Sequence, residues 1–242
     1  MKLTTLAMAT TLATAAALTT PAWAYEAGDI LVRAGAATVA PDESSDGIAV
    51  PGLNIPPIAG TGAEVDNNTQ LGLTLTYMLN SAWGVELLAA TPFEHDITAD
   101  LGAVDPSLSS VAAGSTKHLP PTLSVVWYPL GSDGGISPYL GAGINYTVFF
   151  QEDVDSEVEA VAGSLASVST IPMALELDDS WGLAAQVGVD FALNESWHLN
   201  ASVRWIDIDT EATFTSGGAD IITVKNVEID PFVYQLNIGY KF

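Results

Sequence analysis

The side chains of this chain that could do chemistry fall into three groups. His95 and His118 flank one stretch, with Asp96 and Ser115 close in sequence, and a serine, an imidazole and a carboxylate are the parts of a hydrolytic triad. No nucleophile turn accompanies them, and nearness in sequence is not triad geometry, so catalysis is not expected. Asp153, Asp155, Glu157 and Glu159 place a carboxylate at every second residue, followed by Glu176, Asp178 and Asp179. This is the first half of a calcium-loop pattern without its glycine and terminal glutamate; a solvated acidic rim is the better reading, with no metal and no cofactor. The third group is Arg33, Glu86 and Arg204, charges set in otherwise uncharged, largely apolar runs. With no cysteine in the chain, thiol catalysis, disulfides and thiolate metal sites are excluded.

The elements that position these groups begin after an export signal. Lys2, the apolar stretch Leu3 to Leu18 and the small-x-small site Ala22-Trp23-Ala24 read as a signal peptide over 1–24, cleaved after Ala24, with one barrel domain over 25–242. Six Lys and Arg stand against 29 Asp and Glu, a formal net charge of −23, which argues against nucleic acid as a partner.

Hydrophobic residues make up 48% of the chain, yet after the leader no run is long and apolar enough for a spanning helix, so a membrane protein of this composition is built from strands. Period-two alternation predicts eight of them, at 28–38, 69–79, 84–94, 118–128, 137–149, 181–192, 197–209 and 229–242. In the second, Leu71, Leu73, Leu75, Tyr77 and Leu79 alternate with Gln70, Gly72, Thr74, Thr76 and Met78.

Alternation alone does not say which face meets water, since a soluble barrel shows the same period with its apolar face inward. The connections decide it. Short turns near Asn80 to Ala82, Pro129 to Ile136 and Leu193 to Ser196 alternate with long acidic loops, the pattern of an outer-membrane barrel. Trp83, Trp127, Trp181, Phe191 and Trp197 collect near strand ends, as interface rings do, and Phe242 ends an aromatic-rich last strand. The expected fold is an all-β, eight-stranded, antiparallel, up-and-down transmembrane barrel with short periplasmic turns and long extracellular loops.

The stretches NNTQLGLTLTYM (67–78), GVELLAATPF (84–93), HLPPTLSVVWY (118–128), PYLGAGINYTVFF (138–150) and DSWGLAAQVGVDF (179–191), with DIDT at 207–210, resemble the OmpW family. The resemblance implies a Gram-negative outer-membrane barrel with a narrow, largely apolar lumen that helps small hydrophobic molecules cross. The aromatic-rich last strand with Phe242 at its end, a feature shared with many barrels inserted by the outer-membrane assembly machinery, makes that machinery an expected partner. Arg204 departs from the pattern, standing where family members can carry an aromatic residue.

With the apolar parity towards lipid, the interior receives Leu31, Arg33, Met78, Glu86, Leu88, Val126, Tyr139, Arg204 and Ile206. Eight strands leave a bore just wide enough for such side chains to fill, so a wide aqueous pore is excluded. Glu86 is expected to pair with Arg33 or Arg204, since an unpaired charge there costs several kcal/mol. Leu88 becomes the floor of an apolar pocket above that barrier. Pro92, facing Pro120 and Pro121 near the long-loop end, removes ladder donors from adjacent strands. The prolines either end the strands at the rim or leave a lateral opening into lipid, the reading the resemblance favours. Two other classes remain open: a passive surface receptor or structural barrel using its acidic loops, and a rim-located lipid-modifying hydrolase. Protease added to intact cells should cut between Asp153 and Glu176; cutting only after the outer membrane is opened would reverse the orientation.

Overall fold

The computed structural model describes residues 24–131 and 135–242; most of the expected leader lies outside the described residues. In chain order the strands are β1 (Ile30–Ala40), β2 (Gly62–Val65), β3 (Asn68–Met78), β4 (Trp83–Ala90), β5 (Phe93–Asp100), β6 (Val111–Leu119), β7 (Thr122–Trp127) and β8 (Ile136–Val154). They continue, after helix α1 (Ser156–Leu165), with β9 (Ala174–Leu177), β10 (Ser180–Ala192), β11 (Trp197–Ile206), β12 (Asp209–Ser216), β13 (Ala219–Glu228) and β14 (Phe232–Lys241). Eight of these close a ring in the order β1-β3-β4-β7-β8-β10-β11-β14, every neighbour antiparallel, and β14 returns to pair with β1 from Leu31↔Lys241 to Ala40↔Phe232. Closure leaves no strand edge unpaired in lipid.

The alternation assigns the faces as expected. Leu71, Leu73, Leu75 and Tyr77 are exposed, whereas Thr74, Thr76 and Met78 are buried. The short turns are built alike: the Asn80 side chain accepts hydrogen bonds from the Ala82 and Trp83 amides, and Asn194 does the same for Ser196 and Trp197. Beside them lies an aromatic girdle, with Trp83 stacked on Trp127 and Trp197 edge-on to Tyr240.

Above the membrane the expected long loops are a second storey. The segment expected at 84–94 is two strands, β4 and β5, and that at 118–128 is β6 and β7, because Pro92 and Pro120–Pro121 lack the donors that would continue the ladder. Likewise 197–209 ends as a wall strand at Ile206, and the last wall strand begins at Phe232, after Pro231. The β5–β6 hairpin pairs with β2 and the outer part of β8, while β9, β12 and β13 form a separate three-stranded sheet. Val111, Val158, Leu175, Phe214, Ile222 and Val224 give this storey its own buried core. Charged outward residues had disguised that core in the sequence.

Candidate functional site

The register of the wall strands brings inward side chains from both halves of the chain to one height. Arg33 on β1 meets Glu86 on β4, with Nη1 at 2.9 Å from Oε2, and Asp190 on β10, with Nη2 at 2.8 Å from Oδ2. The other Glu86 oxygen lies 2.7 Å from Arg204 Nη2 on β11. Gln186 completes this contact, donating to Glu86 Oε1 at 2.9 Å and accepting from Arg204 Nε at 3.0 Å. Thr76, Tyr128 and His198 occupy further donors of Arg33, and Tyr25 and Asn200 donate to Asp190. Two cations and two anions, each at most 1% exposed, therefore form a neutral layer across the bore. Burying such ions is repaid only when their partners are in place, and here each ion is paired, with Arg204 Nη1 the one guanidinium nitrogen of the layer that has no hydrogen-bond partner among the described residues.

On the periplasmic side of this layer Tyr25, Leu31, Met78, Val126 and Tyr128 pack with Tyr139 into a cluster with at most 2% exposure each, so the lumen is sealed. Met78 and Val126 thus stand below Glu86, while Tyr139, opposite Gly188 between Gln186 and Asp190, stands level with the charges and sets its ring 5.6 Å from the Arg33 guanidinium carbon. Ile206 stands above them, packed with Phe93, Phe149, Ile208 and Val233. Leu88 is buried between Thr74 and Thr122 and is not among the residues that line the two apolar cavities of the upper storey. Asp190, His198, Tyr25 and Tyr128 escaped the sequence reading, although Asp190 shares the parity of Gln186 and His198 that of Asn200.

The apolar space lies higher. One cavity of about 40 Å³ is lined by Val39, His95, His118, Phe149, Ile208 and their neighbours. A second, of about 60 Å³, lies among Ile48, Val158, Leu175, Phe214 and Val224, and the two share Ala63, Ile97 and Ala212 as walls.

The prolines mark a break in the wall beneath these cavities. The β4–β7 ladder stops at Leu88↔Thr122 and the β5–β6 ladder starts at Phe93↔His118, leaving residues 89–92 and 119–121 without a mutual backbone hydrogen bond. Both stretches remain tied on their other sides, by the Thr91 amide to Leu71 and by the Tyr146 amide and Asn145 side chain to the Pro121 carbonyl. Pro92 and Pro121 are exposed and Pro120 is buried.

The rim quartet does not assemble. His95 and His118 point inward with their Nε2 atoms 3.0 Å apart, whereas Asp96 and Ser115 pair with each other on the outer face of the hairpin. Burial lowers the pKa of His95, against the pull of Asp66, and pushes His118 down to about 3, with His95 adding to the effect. The alternate carboxylates do not converge on a cation: Asp155 accepts from the Glu157 amide at the start of α1, Glu157 from the Ala112 amide and Glu159 from the Met173 amide. Among the described residues Asp207, Asp209 and Asp230 bring three carboxylates within 4.8 Å, two of them held by the Leu183 and Ile208 amides.

This combination of a sealed eight-stranded wall and an apolar upper storey agrees with comparison to known proteins, in which the OmpW family model matches residues 26–242. The chain belongs to the OmpW family. Outer membrane protein W of Vibrio cholerae is 46% identical over 232 residues, 96% of this chain and 97% of its own. The dibenzothiophene metabolism operon protein PahQ of Pseudomonas aeruginosa is 27% identical over 225 residues, 93% of each chain. The crystal structure of the outer membrane protein OprG from Pseudomonas aeruginosa matches with a TM-score of 0.77 at 41% identity, covering 90% of this chain and 98% of that one. This OmpW-family barrel is accordingly an integral protein of the Gram-negative outer membrane, surrounded by its lipid.

Two outcomes follow from the geometry. Glu86→Ala leaves Arg204 with Gln186 as its remaining polar partner, and should cost about 3–5 kcal/mol in equilibrium unfolding from lipid vesicles. Adding Arg204→Ala should recover part of that loss; an unrecovered loss would disprove the coupling. Because the folded His118 titrates near 3 and the free imidazole near 6.5, the unfolded chain binds more protons between these values, and stability falls as pH falls through the window. Nitrogen NMR midway through it should find the His118 ring still neutral, and a protonated ring there would show that the pocket is wet.

Proposed function

We propose that this barrel takes small hydrophobic molecules from outside the cell into its upper storey and releases them sideways into the membrane. The observation that carries the reading is the order of its parts: apolar cavities above, a break in the wall beneath them, and a neutral but fully charged layer closing the bore. An apolar solute gains about 25 cal/mol for each Å² it buries among Phe149, Ile208 and their neighbours. It then meets Arg33, Glu86 and Arg204, which cannot give up their partners to it without a desolvation penalty. Lipid tails are as apolar as the cavity, so leaving between residues 89–92 and 119–121 costs little, while leaving downward would return the solute to water.

The name of PahQ ties that relative to dibenzothiophene metabolism, which supports an apolar cargo here. The role is non-enzymatic, in keeping with the separation of His95 and His118 from Asp96 and Ser115. Of the lumen residues, Leu88, Ile206 and the cavity walls line the route, whereas Met78, Val126 and Tyr139 serve as the seal. In the same reading, cleavage after Ala24 makes Tyr25 the first residue, and the assembly machinery engages the exposed Phe242 ring.

Replacing Pro92, Pro120 and Pro121 with residues that restore ladder donors should slow uptake of octane into cells or proteoliposomes while the barrel stays folded. Parental uptake by that variant, together with a large change in Arg204→Ala, would replace the lateral route with a straight one. Absence of any octane flux in the parent would leave a surface receptor.

A further inference from the structure

Between the upper cavities and the break in the wall stands a row of rings. β5 begins at Phe93, directly after Pro92, and Phe93 pairs in register with His118 on β6, which pairs in turn with Phe149 on β8. All three side chains point inward and are buried, so the register sets them side by side. The ring centroids lie 5.5 Å apart from Phe93 to His118 and 5.8 Å apart from His118 to Phe149. His118 and Phe149 belong to the wall of the 40 Å³ cavity, together with Val39 and Ile208. Phe93 shares a buried cluster with Val39, Phe149 and Ile208, yet it is not one of the residues that line the cavity.

What lies on the membrane side of Phe93 is the gap. Leu88 and Thr122 form the last rung of the β4–β7 ladder, and Phe93 with His118 is the first rung above it. The inward residues between these rungs are Ala90 and Pro120, whose backbones make no hydrogen bond to each other. Pro120 is buried, and Ala90 packs on the cluster that holds Phe93. The inner mouth of the gap is therefore framed by Leu88 and Thr122 below and by Phe93 and His118 above. Of the two upper side chains, His118 is tied to His95 by the contact between their Nε2 atoms, and His95 to the Asp66 carbonyl. Phe93 has only apolar atoms to offer and is held by packing alone.

We propose that Phe93 is the size-selecting residue of the lateral route: its ring stands between the cavity and the gap, and its bulk sets the widest apolar solute that passes. The proposal rests on the uptake reading above and assigns the selectivity of that route to one side chain. A narrow hydrocarbon chain presents little width to the ring, whereas a rigid cage meets all of it. In a close-packed apolar passage a difference of one methylene is already worth about tenfold or more, so one ring is enough to discriminate.

The test offers isotope-labelled octane and adamantane, a chain and a cage, to intact cells carrying the full-length protein. Phe93→Leu, which trims the side chain and keeps it apolar, is expected to raise uptake of adamantane relative to octane about tenfold, and Phe93→Trp to lower the same ratio by a similar factor. A residue that only held the fold together would slow both solutes in both variants and leave the ratio in place. When Pro92, Pro120 and Pro121 are also replaced by residues that restore ladder donors, the gain of Phe93→Leu should vanish, because the passage it widens is shut. A ratio unmoved in both variants, while the parent takes up octane, overturns the role of Phe93 and leaves the uptake reading standing. A gain that persists with the seam closed overturns it as well, since the solute then passes elsewhere. Octane uptake by the parent no faster than by cells lacking the protein refutes the uptake reading, and this proposal with it.

Discussion

Glu86 held between two guanidinium groups is the contact around which the rest of the barrel is arranged. A carboxylate inside a narrow bore is tolerable only with its charge fully answered, and one arginine does not suffice here because Asp190 claims the other side of Arg33. Arg204 supplies the balance. The resulting layer is neutral as a whole yet polar at every atom, so it seals the bore against apolar solutes as well as ions. On the proposed uptake route a solute above the layer must then find another way out, which gives the gap between residues 89–92 and 119–121 its importance.

That gap is local by construction. The flanking ladders keep their hydrogen bonds, so a loosened seam between β4 and β7 does not spread to β3 or β8. Pro120 is buried while Pro92 and Pro121 face outward, and none of the three has an N–H to give to a neighbouring strand. The second storey rises directly from this seam, with the His95–His118 contact just above it joining the two strands of the hairpin.

Much of this was legible in the amino-acid sequence. Strict alternation in NTQLGLTLTYM and FVYQLNIGYK assigns each face of the wall, and parity alone puts Arg33, Glu86 and Arg204 in the same bore. Asp190 has the same parity as Gln186, but its place close to the turn at Leu193 makes an acid there look solvated. Tyr25 precedes the first strand, and no periodicity reaches it. The second storey was hidden for a different reason. Phe93, His95, Ile97 and Ala99 form an inward run, but Glu94 and Asp96 between them and Asp100 after them give the segment the composition of a loop. Apolar contacts that join β5, β12 and α1 across more than a hundred residues leave no local trace.

The charged layer also bears on how the barrel is made. Arg33 belongs to the first wall strand, Glu86 to the third, and Asp190 and Arg204 to the sixth and seventh; a partly assembled sheet holds these four ions apart and hydrated. They lose water together only when β14 reaches β1 and the ring closes. Tyr25, just ahead of β1, donates its hydroxyl to Asp190 at 2.8 Å and so ties the start of the chain to the closed ring. The desolvation penalty and its repayment thus arrive in a single step, which disfavours any half-closed barrel and makes the last pairing in assembly the one that locks the interior.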